Sequence, residues 1–345
     1  MVLNYRSLTF IFGLITFFIT TSSLFAQTDS LYLKNNDVIV GELKSLNKSV
    51  AVFETDYSDS DFKIDWDEVL KVKTQTEYLL TLSSGRRFSG HLESSSENQV
   101  HVIENDSIMV ETPIEDIVYL RKIDSDFWSK FDASLSVGYN FTKANDLSQY
   151  SVRSYFGYRE KRWLASTRYN QIISSQSDTP ETQRLDANLI YNRFLRKNWF
   201  ILGEVNWLSN TAQNLDLRTV SKVGLGKYII QTNSSYWGLQ AGVSFNNESF
   251  NTDMGGVSNN SAEGFLGTEV NLYDIGDFSL LSRVMVYPSL TESGRWRTDF
   301  NMDLNYDLPL DFFINLGLSL NYDNQPAQGG EETDYVFQTT FGWSL

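Results

Sequence analysis

No cysteine occurs anywhere in the 345 residues. Disulfide staples, thiolate metal sites and cysteine nucleophiles are therefore excluded together. Histidine is nearly absent too: His91 and His101 are the only two, and residues 130–345 contain none. A serine hydrolase in that half would lack a histidine base, and no Gly-x-Ser-x-Gly elbow is present. The chain reads as non-enzymatic, with no cofactor called for. Basic charge is also short, with 28 Lys and Arg against 43 Asp and Glu and a net charge of −15. No basic stripe is available to neutralise phosphates, so nucleic acid is not an expected partner.

Long apolar runs are missing except at the N-terminus, where residues 8–19 follow Arg6 and precede Leu24-Phe25-Ala26-Gln27. That run is too short for a comfortable span of about 20 residues and has the layout of a secretory signal. Residues 1–26 are expected to be a signal peptide, cut near Ala26.

What the sequence does contain is written twice over residues 28–122. Leu31-Tyr32-Leu33, a polar Asn35-Asn36-Asp37 turn and Gly41-Glu42-Leu43 return as Leu80-Thr81-Leu82, Ser83-Ser84-Gly85 and Gly90-His91-Leu92. Asp67-Glu68-Val69 returns as Glu115-Asp116-Ile117, a period of about 48 residues. Short strands between such turns predict two small SH3-like or Sm-like β-modules in tandem. Asp56, Asp59, Asp61, Asp65, Asp67 and Glu68 are acidic without the spacing of a calcium loop, which leaves a solvated acidic loop. His91 and His101 fall on neighbouring strand patterns but lack a placed carboxylate for a metal site. Phe127 and Trp128, just before the second half, have the look of an interfacial anchor.

From residue 130 onward the chain alternates. In Trp296-Arg297-Thr298-Asp299-Phe300-Asn301-Met302-Asp303-Leu304-Asn305-Tyr306 every even position is apolar or nearly so, and every odd one is charged or amide. Successive strand side chains point to opposite faces, so the segment has one greasy and one wet wall. The pattern recurs over 131–141, 149–158, 163–173, 184–193, 199–208, 217–228, 236–246, 262–273, 278–290, 296–307, 312–322 and 334–345. Twelve such strands with no helix between them predict an all-β fold, a transmembrane antiparallel β-barrel of about 12 strands over residues 130–345. Tight connections such as 160–162, 196–198 and 232–234 alternate with longer ones at 174–183, 247–261 and 323–333. Both ends then fall on the short-turn side, which places the N-terminal modules in the periplasm of a Gram-negative bacterium, below its outer membrane.

The alternation also assigns faces. Arg153, Arg168, Arg184, Asp186, Glu204, Arg218, Lys222, Glu269, Arg283, Arg297, Asp299 and Asp303 face the lumen, with Asp132 and Glu263, as a pore lining or an ion-pair network. Glu204 lies between the strands of Arg184 and Arg218, and Arg283 between those of Glu269 and Asp299, so pairing across the ladder is expected. Trp163, Trp199, Trp237, Phe312 and Trp343 form a membrane-interface girdle. The final aromatic alternation up to Trp343-Ser344-Leu345 resembles the signal read by barrel-assembly machinery.

The stretch Arg218-Thr219-Val220-Ser221-Lys222-Val223-Gly224-Leu225-Gly226-Lys227-Tyr228 resembles the YdiY-like salt-induced outer-membrane proteins, a family of unknown function. Ser136-Val137-Gly138-Tyr139-Asn140-Phe141 and Tyr191-Asn192-Arg193 fit the same pattern. The resemblance implies an outer-membrane barrel tied to salt or envelope stress, with outer-membrane lipid around it and no site residues to carry over. Three roles stay open: a structural barrel or narrow solute pore, an anchor whose periplasmic modules hold a protein or peptidoglycan partner, and a lipid hydrolase.

Overall fold

The computed structural model describes residues 28–123, 127–143, 146–177, 179–211, 215–250, 257–325 and 331–343. The expected signal peptide and the terminal Leu345 lie outside them. No helix among the described residues is long and apolar enough to cross a membrane. The fold is all-β, in two sheets.

The first sheet holds β1 (Asp29–Leu33), β2 (Val38–Asn47), β3 (Val50–Glu54), β4 (Phe62–Asp65), β5 (Val69–Lys73), β6 (Glu77–Leu82), β7 (Arg87–Ser96), β8 (Gln99–Glu104), β9 (Ser107–Pro113) and β10 (Ile117–Ile123). The repeat is real, since single 3-10 turns at Trp66–Glu68 and Ile114–Asp116 occupy equivalent places in the two copies. Its consequence differs from the expectation of tandem barrels. Strand β5 of the first copy pairs with β7 of the second, and β10 of the second pairs with β2 of the first. With β1–β5, β1–β2, β6–β7 and β6–β10 also paired, six strands close one ring around a shared core. Leu31, Leu43, Phe53 and Trp66 from one copy bury against Tyr78, Leu80, Leu92 and Leu120 from the other. Each copy alone is too small to bury such a core, whereas strand exchange gives both a common one.

The symmetry axis is marked by a hydrogen bond. Trp66, 2% exposed, donates its indole N–H to the carbonyl of Ile114, its own repeat equivalent, at 2.9 Å. Replacing Trp66 with Phe keeps most of the apolar burial and removes one of the two donors to that carbonyl, which retains the Ile117 N–H, so the ring should lose about 1 kcal/mol. Amide exchange in residues 114–120 of the full chain in urea is the measurement, and an unchanged rate would deny the bond its role.

The second sheet is a meander of β11 (Phe131–Thr142), β12 (Leu147–Arg159), β13 (Trp163–Ser175), β14 (Thr182–Phe194), β15 (Trp199–Asn210), β16 (Leu215–Gln231), β17 (Ser235–Phe250), β18 (Val257–Ile275), β19 (Phe278–Pro288), β20 (Trp296–Leu308), β21 (Phe312–Asp323) and β22 (Thr333–Trp343). Every strand is antiparallel to the next, in the order expected from the alternation. Strands β16 to β18 run 16 to 19 residues, and on the long-loop side β18 extends past β19, whose ladder with it begins only at Leu266 and Val286. Among the described residues β11 and β22 each pair with a single neighbour.

The sheet is strongly curved. Lys222 on β16 sits 5.6 Å from the ring of Tyr287 on β19, although three strand spacings in a flat sheet would hold them about 14 Å apart. The concave face is the polar one. The convex face carries Leu135, Val137, Tyr139, Phe156, Leu189, Leu225, Phe245, Leu266 and Phe337, all exposed. Phe300, Leu304 and Leu316 also lie on the convex side, and none of them is buried.

Candidate functional site: the concave interior

Register decides which side chains share the interior. Arg153 lies opposite Asn170, Arg168 opposite Asn188, Asp186 opposite Asn170, and Glu204 opposite Lys222. Glu269 faces Arg283, Met285 faces Asp299, and Leu281 faces Asp303. All twelve charged residues expected in the lumen fall on the concave face, and Trp163, Trp199, Trp237, Phe312 and Trp343 fall on the convex one at the short-turn end.

The ion pairs are partly those expected. Arg283 pairs with Glu269 across neighbouring strands. Arg297 reaches over β19 and grips Glu263 with two hydrogen bonds of 2.9 and 2.6 Å. Glu204 does not pair with Arg184 or Arg218, because the register sets both arginines nearer the long loops, opposite Asn210 and Leu208. Glu204 instead accepts from Asn206 at 2.8 Å. Arg184 turns to Asp186 on its own strand at 2.9 Å, and Arg218 takes Glu248 at 2.7 Å. Glu248 escaped the sequence reading because it sits beyond the predicted end of its strand. Asp132 is also redirected: Arg121 of β10 holds it with a two-pronged contact of 2.5 and 2.7 Å. Arg153, Arg168 and Asp303 form no ion pair among the described residues, and Arg168 lies 5.6 Å from the Tyr155 ring.

Between a pore lining and an ion-pair network the interior adds a third element, an apolar one. Leu202, Phe265, Met285 and Tyr287, each under 8% exposed, pack together in the interior with Phe200 at their flank. Glycines make room for them. A Cβ at Gly224 or Gly242 would come within 2.7 or 2.6 Å of the Phe265 ring, and one at Gly226 within 2.1 Å of Phe200. The Gly224-Leu225-Gly226-Lys227-Tyr228 pattern thus has a packing reason: two gaps for aromatic rings, then Tyr228 against Phe200 at 5.0 Å. Two cavities of about 420 and 500 Å³ remain, both bordered by Arg168 and Asn188.

The short-turn end of the interior is covered by the first sheet. Asn233, in the β16–β17 turn, donates to the carbonyls of Glu115 and Ile117 at 2.8 and 2.9 Å. Asn198, in the β14–β15 turn, donates to that of Ser83 at 3.2 Å. Gly85, with φ +77°, fits under Asn198 where any Cβ would collide with it. Arg159 lies over Tyr119 at 4.8 Å. Arg87 lays its guanidinium 3.6 Å over the Phe194 ring, and its Nη1 has no hydrogen-bond partner. Burial, with Arg159 as a like charge nearby, lowers the Arg87 guanidinium to about 10.

Four of the residues weighed for metals have charged partners of their own, Asp61, Asp67, Glu68 and His101. Asp61 bonds Lys44 at 2.9 Å, and Lys34 faces Glu68 at 3.4 Å and Asp67 at 3.9 Å. His91 and His101 share a face one diagonal apart, with His101 directed at Glu111, 3.4 Å away. Phe127 and Trp128 are exposed, and Phe127 stacks on Tyr158 at 4.9 Å.

A family described as "Protein of unknown function, DUF481" matches residues 135–345. No curated protein matches the chain, and no solved structure does.

Proposed function

Because this chain belongs to the DUF481 family, the YdiY-like group that its glycine motif resembles, we propose that it is a non-enzymatic outer-membrane β-barrel, closed to solute flow and capped on the periplasmic side by its N-terminal ring. The observation that carries this reading is the division of faces. Exposed apolar side chains cover the convex wall, while charges and amides line the concave one. In water such a wall would be a large sticky surface, whereas in hydrocarbon it is the stable arrangement. Hydrocarbon also penalises unpaired strand edges, so in the membrane β11 and β22 come together; an even strand count lets them meet antiparallel. Strands of 11 to 13 residues, tilted by roughly 40°, span the roughly 25 Å apolar band of an outer membrane.

Closure to solute rests on the apolar cluster, the paired charges and the docked ring. The docking supports a cap rather than a module held free for a protein or peptidoglycan partner. Hydrolysis of lipid finds no support, for want of a histidine base in residues 130–345.

The expected result is a protein that resists alkaline and urea extraction, floats with liposomes, shifts its electrophoretic mobility on heating, and is silent in planar bilayers. Release as a soluble monomer without detergent would refute the membrane reading. Steady conductance would refute the closed interior alone.

A further inference from the structure

In a chain of net charge −15, one cavity of about 680 Å³ gathers six cations. Arg86 comes from the β6–β7 turn and Arg87 from the start of β7, Arg162 from the β12–β13 turn, Arg193 from the end of β14, and Arg196 and Lys197 from the turn that follows. No carboxylate lines it. None of the six forms an ion pair among the described residues, and one edge of the Arg87 guanidinium is buried with no acceptor. Arg87 alone is part-buried and the other five are exposed; ring contacts with Phe88 and Phe194 account for Arg86 and Arg87, but like charges repel and nothing in the packing gives a reason to gather the remaining four beside them. Elsewhere Arg121, Arg218, Arg295 and Arg297 are each held by a carboxylate, while Arg153, Arg159 and Arg168 stand singly and are not gathered into one cavity.

We propose that this cavity, at the junction of the N-terminal ring and the sheet, binds a phosphate-bearing anion. Guanidinium forks match the oxygens of phosphate in pairs, and five arginines with one lysine suit a dianion or a phosphodiester better than a lone carboxylate. The anion has two sources, inorganic phosphate and the headgroup of an anionic phospholipid. The cavity wall also includes Phe88, Phe194 and Leu195, an apolar flank suited to the glycerol and first methylenes of a lipid. Arg193 lies opposite Trp163 on the convex side, at the level of the aromatic row, where headgroups of the periplasmic leaflet would stand. The lipid source rests on the membrane reading above; the phosphate source does not.

The test uses the full-length protein in an uncharged maltoside detergent free of phosphate, with inorganic phosphate and short-chain phosphatidylglycerol as separate probes and sodium chloride at matched ionic strength as control. Binding is read as mass-resolved adducts and as a shift in thermal unfolding. Wild type should take one equivalent saturably. Replacing three of the exposed residues together, Arg86→Gln, Arg196→Gln and Lys197→Gln, should weaken binding at least tenfold while leaving far-UV circular dichroism unchanged. Phosphatidylglycerol binding that phosphate does not displace identifies the lipid source, and saturable phosphate binding with full competition identifies the free anion. Equal binding by wild type and the triple variant, or no binding of either probe beyond the chloride control, overturns the proposal. Neither of those results bears on extraction or flotation, so the two readings fail separately.

Discussion

Asp29→Ala should unfold the N-terminal ring more readily by about 3–5 kcal/mol. Asp29 is 0% exposed and stands at the start of β1. Its Oδ2 accepts from the backbone N–H of Leu43 at 2.9 Å, and its Oδ1 from that of Gln75 at 2.8 Å. The hydroxyl of Tyr78 lies 2.6 Å from Oδ2 and 2.5 Å from the Leu43 carbonyl. Burial, with the Asp29 carboxylate beside it, pushes the Tyr78 hydroxyl far above its ordinary range, so it stays protonated and donates. One carboxylate thereby ties together β1, β2 and the link into β6, which joins the two copies. Alanine strands the buried Leu43 N–H, the part-buried Gln75 N–H and one partner of the buried Tyr78 hydroxyl, at about 1–3 kcal/mol for each fully buried group and less for Gln75. Asparagine keeps one oxygen for Leu43 and Tyr78 but turns an NH₂ toward Gln75, so Asp29→Asn should fall between alanine and wild type. Amide exchange over residues 38–47 in the full chain reads the loss directly. Protection equal to wild type in Asp29→Ala would show that this carboxylate is not the clasp of the ring.

That clasp was invisible in the sequence for a reason that applies to the whole first sheet. A repeat announces itself through its turns, and both turns are real, with Asn36 at φ 70° and Gly85 at φ 77°. It does not announce whether each copy closes on itself or lends a strand to its twin, because local pattern is the same in both cases. The second sheet was far more legible. Alternation is itself the local expression of a two-sided wall, and the strand expected over 163–173 is found as Trp163–Ser175. Errors there were of extension, as where β17 continues to Phe250 and brings Glu248 to Arg218. The interior cluster was hidden for another reason. Leu202, Phe265 and Met285 occupy polar-face positions, so each looks like a lapse in the alternation when taken strand by strand. Only curvature, which brings β15 to β18 and β19, makes them one body. The basic cavity is harder still, since its residues come from three stretches, 84–88, 162 and 193–197, far apart in sequence, and neither Arg86-Arg87 nor the basic turn at 193–197 announces the other.

The unpaired guanidinium within that cavity leads to the second large effect. Arg87→Met should stabilise the protein in anion-free buffer, by about 2–3 kcal/mol, because methionine keeps the contact with Phe194 and removes a buried charge. The sign follows from linkage. The folded state lowers this base to about 10, so the folded form binds the proton less tightly than the unfolded chain does. Below pH 10 both states are protonated and the folded state bears the full penalty; as pH climbs past 10 the folded arginine sheds its proton first and the penalty fades. The gain from methionine should therefore be constant between pH 7 and 9 and shrink above pH 10. An anion in the cavity supplies the missing partner, so adding the bound phosphate species should stabilise wild type and narrow the gap to the variant. Thermal unfolding of both proteins at pH 7.5 and 10.5, with and without phosphate or phosphatidylglycerol, measures all of this. A variant less stable than wild type in anion-free buffer would mean that Arg87 is already satisfied where it lies.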